Sequence, residues 1–307
     1  LFSTGGVFRN EMLRFLLPLR KIKSFGLIMK TKIAIVGTGG VGGFLGGLLA
    51  RRYRDDPEVD IYFISRGQAL ENIRSRGLIV ESQQGNFTAR PKAATDSAAE
   101  IGEMDYILLC TKAYDIEGAI GPRTVILPFL NGVDSAEKIK RMLPGHAVWD
   151  GCVYVVAFIV EPGRIAEHTN GYRYLFGSAQ GPDERLEELE RIFTDAEVRA
   201  RLVPDITRRV WDKFAFISTV ATATSYTDEP YGGVLGNPDY RAQFTALLDE
   251  FQAVAKAKGI VLSDGIAAQV VDQMERIPAD TTTSMQRDFR AHRSTELESL
   301  TGYIVRE

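Results

Sequence analysis

The spacing of apolar residues changes character once along this chain, near Pro204-Asp205. Before that point, short runs rich in β-branched and aliphatic residues recur between turn residues: Ile33–Val36, Asp60–Ile64, Asp105–Cys110, Thr124–Leu127, Val148–Val156, Arg164–His168 and Tyr174–Gly177. Runs that stay apolar at successive positions predict strands buried on both faces, as in a parallel sheet. Gly77–Ser82 and Phe87–Ala89, either side of Gln84-Gly-Asn86, predict a hairpin. A charged helix is predicted over Asp183–Thr194. Alternation of strands and helices to about residue 203 predicts an α/β architecture, a Rossmann-type doubly wound sheet.

Beyond Pro204 the apolar period is that of helices. Arg208–Thr222 places Val210, Phe214, Ile217 and Ala221 on one face. Phe244, Leu247, Leu248, Phe251 and Val254 follow the i, i+3, i+4, i+7 spacing of an amphipathic helix. Ile266–Met274 and Glu296–Val305 predict two more, the second with Thr295 and Glu298 at the spacing of a capping box. Pro230–Pro238, with Gly232, Gly233 and Gly236, is expected to be a connecting loop. The expected organisation is therefore a sheet domain over residues 29–203 and an all-helical C-terminal domain over residues 204–307. Residues 1–28 carry five basic residues and match neither pattern. They are expected to be an extension outside the fold, with Met29 as the natural start.

With 307 residues, two domains are expected rather than one. Net charge is −3, which gives no electrostatic footprint for nucleic acid. Cys110 and Cys152 do not make a disulfide framework and suit a reducing cytoplasm. The three histidines, His146, His168 and His292, lack metal-ligand spacing, and no run of 18 apolar residues predicts a membrane span.

The chemistry starts at the first strand. Ile33-Ala-Ile-Val36 runs into Gly37-Thr38-Gly39-Gly40-Val41-Gly42, after which Phe44, Leu45, Leu48 and Leu49 resume at helical spacing. A G-x-G-x-x-G between a strand and a helix is the dinucleotide-binding context. Gly37 permits the tight turn, Gly39 lets backbone N–H groups reach a pyrophosphate, and Gly42 lets the helix pack close to the strand. The second strand ends in Ser65-Arg66, where an NAD site usually has a carboxylate for the ribose. A hydroxyl and a guanidinium there suit a 2′-phosphate, so NADPH is the expected cofactor. Two further strands end in Thr111-Lys112 and in Leu130-Asn131-Gly132, on the sheet edge where ligands bind in such folds.

These blocks, with Trp211-Asp-Lys213 and with Ser284-Met-Gln-Arg-Asp288 followed by Arg293-Ser-Thr-Glu296, make the chain from about Lys30 to Glu307 resemble the ketopantoate reductase (2-dehydropantoate 2-reductase) family. The resemblance implies NADPH-dependent reduction of 2-dehydropantoate to pantoate, in pantothenate and coenzyme A synthesis. Carried over residue by residue, it makes Lys213 the catalytic lysine and Glu296 its substrate-binding partner in the catalytic pair. Ser284 becomes the serine at the substrate carboxylate, Asn131 the asparagine at nicotinamide and substrate, and Lys112 the second active-site lysine. The implied setting is a cytoplasmic enzyme with a small 2-oxo acid as substrate and no nucleic-acid or membrane partner. A homodimer is the assembly this reading allows.

A proton donor is what reduction of a ketone demands, because hydride addition leaves negative charge on the carbonyl oxygen. A lysine can serve if burial or a positive neighbour brings its pKa down. The sequence departs from the family one and two helical turns after Lys213. The family commonly has substrate-holding asparagines there, and this chain has Ile217 and Ala221. The chain also ends at Glu307, where the family usually continues with another helix. Ile217 and Ala221 keep open a paralogous reductase of another 2-oxo acid or ketone. A non-catalytic NADP-binding redox sensor is the rival outside catalysis, opposed by the retained Lys213, Ser284 and Glu296. A methyltransferase sharing the glycine loop is opposed by Arg66 and by the helical second half.

Overall fold

The computed structural model describes residues 30–111, 115–169 and 171–307. The expected extension over residues 1–28 and the expected ligand Lys112 lie outside the described residues. The elements of the sheet region, in order, are β1 (Thr31–Val36), α1 (Gly40–Arg52), β2 (Val59–Ile64), α2 (Gly67–Arg76), β3 (Leu78–Ser82), β4 (Phe87–Ala89), β5 (Ala93–Thr95), β6 (Met104–Leu109), β7 (Ile120–Pro128), α3 (Ser135–Met142), β8 (Ala147–Val148), β9 (Asp150–Tyr154), β10 (Ala157–Glu161), β11 (Arg164–Glu167), β12 (Arg173–Gly177), α4 (Glu184–Asp195) and β13 (Ala200–Leu202).

The main sheet has six strands in the order β5-β2-β1-β6-β7-β8. Each neighbouring pair runs parallel. Numbered by their sequence within this sheet, the strands read 3-2-1-4-5-6, the doubly wound order, with the chain reversing direction between β1 and β6. The run Ile33-Ala-Ile-Val36 is buried because it is covered on both faces. Ile33 and Ile35 join Phe44, Leu45 and Leu48 of α1, while Ala34 and Val36 join Ile107, Ile126 and Ile139 on the opposite face.

The sheet does not continue to residue 203 as the alternation predicted. After β8 the strands enter two smaller sheets, β10-β11-β3-β4, which takes in the earlier β3 and β4, and β13-β12-β9. The predicted strand Val148–Val156 is cut at Trp149, which is buried, and its two parts belong to different sheets. The physical reason lies in the links. No helix intervenes between β8 and β12, so strands close in sequence there pair antiparallel, β10 with β11 and β9 with β12, while β11 joins the earlier β3 in parallel. The hairpin β3–β4 forms as predicted, with Leu78 opposite Ala89. α4 forms too, its Asp183 capping the helix by accepting from the Arg185 backbone N–H at 3.0 Å.

The helical region comprises α5 (Ile206–Thr227), α6 (Tyr231–Gly236), α7 (Pro238–Ala257), α8 (Ile266–Glu275), α9 (Ser284–Arg290) and α10 (Thr301–Arg306). Its core is a cluster in which Trp211 and Phe214 of α5 meet Phe251 of α7 and Tyr303 of α10 at ring separations of 5.6–6.1 Å. Phe244, Leu248 and Phe251 make the buried stripe of α7 that their spacing predicts. Two expectations fail here. The glycine-containing stretch after Pro230 is a helix, not a loop: Gly232 lies so close to Ala279 that an added Cβ would be 2.7 Å from that side chain. The last helix starts at Thr301, not Glu296, and the capping box does not form. The Thr295 hydroxyl accepts from the Leu297 backbone and the Glu298 carboxylate is held by Arg306. None of the described helices is long and apolar enough to cross a membrane.

Candidate active site

The glycine turn forms one cleft. Gly37 has φ +92°, and a Cβ on it would lie 2.7 Å from the Thr111 side chain, so only glycine fits this turn. Gly39 caps α1 and has open space where a Cβ would project. No side chain caps the helix N-terminus and no acidic residue lies in its first turn. This leaves N–H groups and the positive end of the helix dipole directed at an anion. Gly37, Thr38, Gly39, Ser65 and Arg66 line a cleft of about 220 Å³. The Thr38 and Ser65 hydroxyls share a buried hydrogen bond of 2.7 Å that ties the glycine turn to the end of β2. Arg66 is exposed and makes no ion pair among the described residues. Gly40, Val41 and Gly42 do not line the cleft. Gly40 and Gly42 serve packing: added Cβ atoms would fall 2.1 Å from the carbonyl oxygens of Ala157 and Gly37 respectively. The Val41 carbonyl accepts from the Tyr174 hydroxyl at 3.3 Å. Asp115 and Ile159 also line the cleft, and neither stood out in the sequence. Cys110 lies beside Gly42, and burial pushes its thiol up to about 12, so it is a neutral packing group.

The second cleft, about 670 Å³, lies where α5 and α8 face β9. Trp211 and Phe214 anchor α5 in the helical core, which leaves Lys213 on the flank turned towards β9. Lys213 Nζ donates to Asn131 Oδ1 at 3.0 Å, and Asn131 Nδ2 donates to Glu296 Oε2 at 3.5 Å. Three residues separated by 82 and 165 positions thus form one chain of hydrogen bonds. Burial lowers the Lys213 pKa, opposed by negative charge at Cys152 and Glu296. Burial also pushes the Cys152 thiol up, so it is neutral near pH 7. The Lys213 ammonium also stands 5.7 Å from the centroid of the Tyr154 ring. The Arg173 guanidinium lies 4.2 Å from the same centroid.

Ser284 is not brought to this group. It is exposed at the start of α9 and does not line the cleft. Its neighbour Thr283 caps the helix and shares a 2.9 Å hydrogen bond with Thr224. Thr224 stands 11 residues from Lys213 along α5, about 17 Å at 1.5 Å per residue. Ile217 does line the cleft, whereas Ala221 is buried in the helical core. Tyr154, Cys152 and Arg173 were missed in the sequence. They stand on β9 and β12, whose antiparallel pairing sets Arg173 opposite Tyr154.

This two-cleft arrangement, a doubly wound sheet against a helical domain that offers a partly buried lysine, agrees with the comparisons to known proteins. Residues 33–181 match the family described as ketopantoate reductase PanE/ApbA, and residues 205–307 match its C-terminal counterpart. The chain belongs to this family of oxidoreductases. A 2-dehydropantoate 2-reductase structure from Porphyromonas gingivalis W83 is 37% identical, covers 91% of this chain and 93% of its own, and superposes with a TM-score of 0.79. The uncharacterized oxidoreductase YkpB of Bacillus subtilis is 27% identical over 89% of this chain and 91% of its own length. The 2-dehydropantoate 2-reductase of Caulobacter vibrioides is 26% identical over 90% of this chain and 91% of its own.

Proposed function

We propose that the protein reduces a 2-oxo acid to the 2-hydroxy acid with NADPH, as a cytoplasmic enzyme, and that 2-dehydropantoate, reduced to pantoate, is the first substrate to test. Residues 29–203 hold the cofactor and residues 204–307 supply the catalytic lysine. The observation that carries the reading is the Lys213–Asn131–Glu296 chain in a cleft beside the cofactor-binding sheet. The open N-terminus of α1 fits a pyrophosphate, and Arg66 beside it fits a 2′-phosphate better than a bare ribose.

A bound nicotinamide supplies the hydride to the carbonyl carbon. Lys213 gives the proton from Nζ to the carbonyl oxygen and is left neutral. Asn131 holds the ammonium in place by accepting one of its three N–H bonds, and Glu296 fixes the asparagine from its amide side. The lowered pKa makes Lys213 a better acid than an exposed lysine. Ser284 and Lys112 are proposed as further substrate and cofactor contacts on the family resemblance alone. A second reading, reduction of a different 2-oxo acid, is favoured by Ile217 on the cleft wall where a hydrogen-bonding residue would hold a terminal hydroxyl.

Steady-state oxidation of NADPH and NADH across a panel of 2-oxo acids tests the proposal. Turnover with at least one acid, at higher kcat/KM for NADPH, is expected. Absence of turnover with every acid and both cofactors would overturn it.

A further inference from the structure

Besides Lys213, the walls of the larger cleft carry several charged groups, and most of them are hydrogen-bonded or ion-paired within the protein. Asp212 accepts from the Ser263 backbone and hydroxyl at 3.0 and 2.6 Å. Arg209 pairs with Asp205 at 3.1 Å, and Arg276 with Asp272 at 2.8 Å. Arg173 is different. It lines the cleft, is exposed, and forms no ion pair among the described residues. It stacks on Tyr154, its cross-strand partner, which holds the flexible side chain in one place. Lys213 and Arg173 are measured to the same ring centroid, at 5.7 and 4.2 Å, so the two cations stand no more than about 10 Å apart.

Resting on the reductase reading above, we propose that Arg173 binds the substrate's carboxylate while Lys213 addresses its carbonyl. In a 2-oxo acid the two oxygen-bearing groups are on adjacent carbons. With hydrogen bonds of about 2.9 Å at each end, one such molecule can span two cations up to about that limit apart. A guanidinium matches a carboxylate through two parallel N–H donors, which also fixes the plane of the substrate. Arg173 thereby takes the role that Ser284, off the cleft, does not reach. The remaining wall sets the side chain. Val153, Val155, Phe216, Ile217, Ile266 and Val270 give it apolar surface, and Ser263, Gln269 and Gln273 give it polar side chains.

The test compares wild type, Arg173→Leu and Arg173→Lys against 4-methyl-2-oxopentanoate and its methyl ester, with NADPH. A calorimetric titration of 4-methyl-2-hydroxypentanoate in the presence of NADP⁺ gives a readout that needs no turnover, and thermal melts show that each variant folds. For Arg173→Leu, KM for the acid should rise about 10- to 100-fold, with KM for the ester and kcat for the acid little changed. Arg173→Lys should recover part of the loss. The hydroxy acid should bind the wild type and bind Arg173→Leu at least 10-fold more weakly. Binding that depends on Arg173 without turnover would keep this inference and sink the reductase reading. Equal binding of the acid by wild type and a folded Arg173→Leu, or an equal KM rise for acid and ester, would overturn the inference itself.

Discussion

At Gly37, Gly40 and Gly42 the backbone is packed so closely that a side chain has no room, whereas around Lys213 the decisive contacts run between side chains far apart in sequence. A Cβ at Gly40 would sit 2.1 Å from the Ala157 carbonyl oxygen, and one at Gly42 would sit 2.1 Å from that of Gly37. The lysine region instead depends on two side-chain hydrogen bonds, at 3.0 and 3.5 Å, that join α5 to two loops across 165 residues. The contrast teaches how each region should fail. Changes in the first strain the fold and take binding with it, because close packing has no slack. Changes in the second leave the fold standing and remove chemistry, because a polar group in a cleft contributes little to the core.

The strongest way to break this comparison is Lys213→Ala. It should lower kcat by about 10²- to 10⁴-fold while NADPH, measured by fluorescence titration, still binds. The wild-type rate should fall as pH rises through the lowered Lys213 pKa, at lower pH than for an exposed lysine, because the protonated form is the donor. The linkage runs the other way for stability. Between the folded and unfolded pKa values the unfolded chain holds more protons, so the contribution of Lys213 to stability rises with pH there. A variant that keeps wild-type kcat and the same alkaline limb would remove Lys213 from the mechanism.

Arg66→Ala sharpens the other side. It should weaken NADPH binding by about 1.5–3 kcal/mol, the scale of hydrogen bonds to a charged group, and leave NADH nearly unaffected. Equal losses for both cofactors would mean that Arg66 does not read a 2′-phosphate. The smallest expected effect is that of Gly40→Ala. Forcing a Cβ against the β10 backbone should cost about 1–3 kcal/mol of stability in denaturant unfolding. An unchanged midpoint would show that β10 yields freely and that the tight packing is no constraint.

The sequence by itself determined the elements whose cause is local. A continuous apolar run must be buried on two faces, so β1, β2 and β6 were legible, as was the glycine turn after β1. The 3.6-residue period of α7 marked its buried stripe for the same reason, whereas on α5 burial centres on Trp211, Phe214, Ala215 and Ser218 and leaves the predicted Val210 and Ile217 partly exposed. The candidate lysine and its partners Asn131 and Glu296 came from family blocks, not from any local pattern, since a lysine on a helix carries no signature of burial.

Only the tertiary structure decided the rest. It separated Ser284 from Lys213 through the seating of α9 on the far part of α5, and it turned Ile217 but not Ala221 into the cleft. It split residues 148–156 between two sheets, because what a strand pairs with depends on which edge its connections can reach. It also set Arg173 on Tyr154 and both beside Lys213. That placement follows from the register of β9 with β12 and the packing of α5 against them, long-range pairings that no stretch of sequence encodes alone.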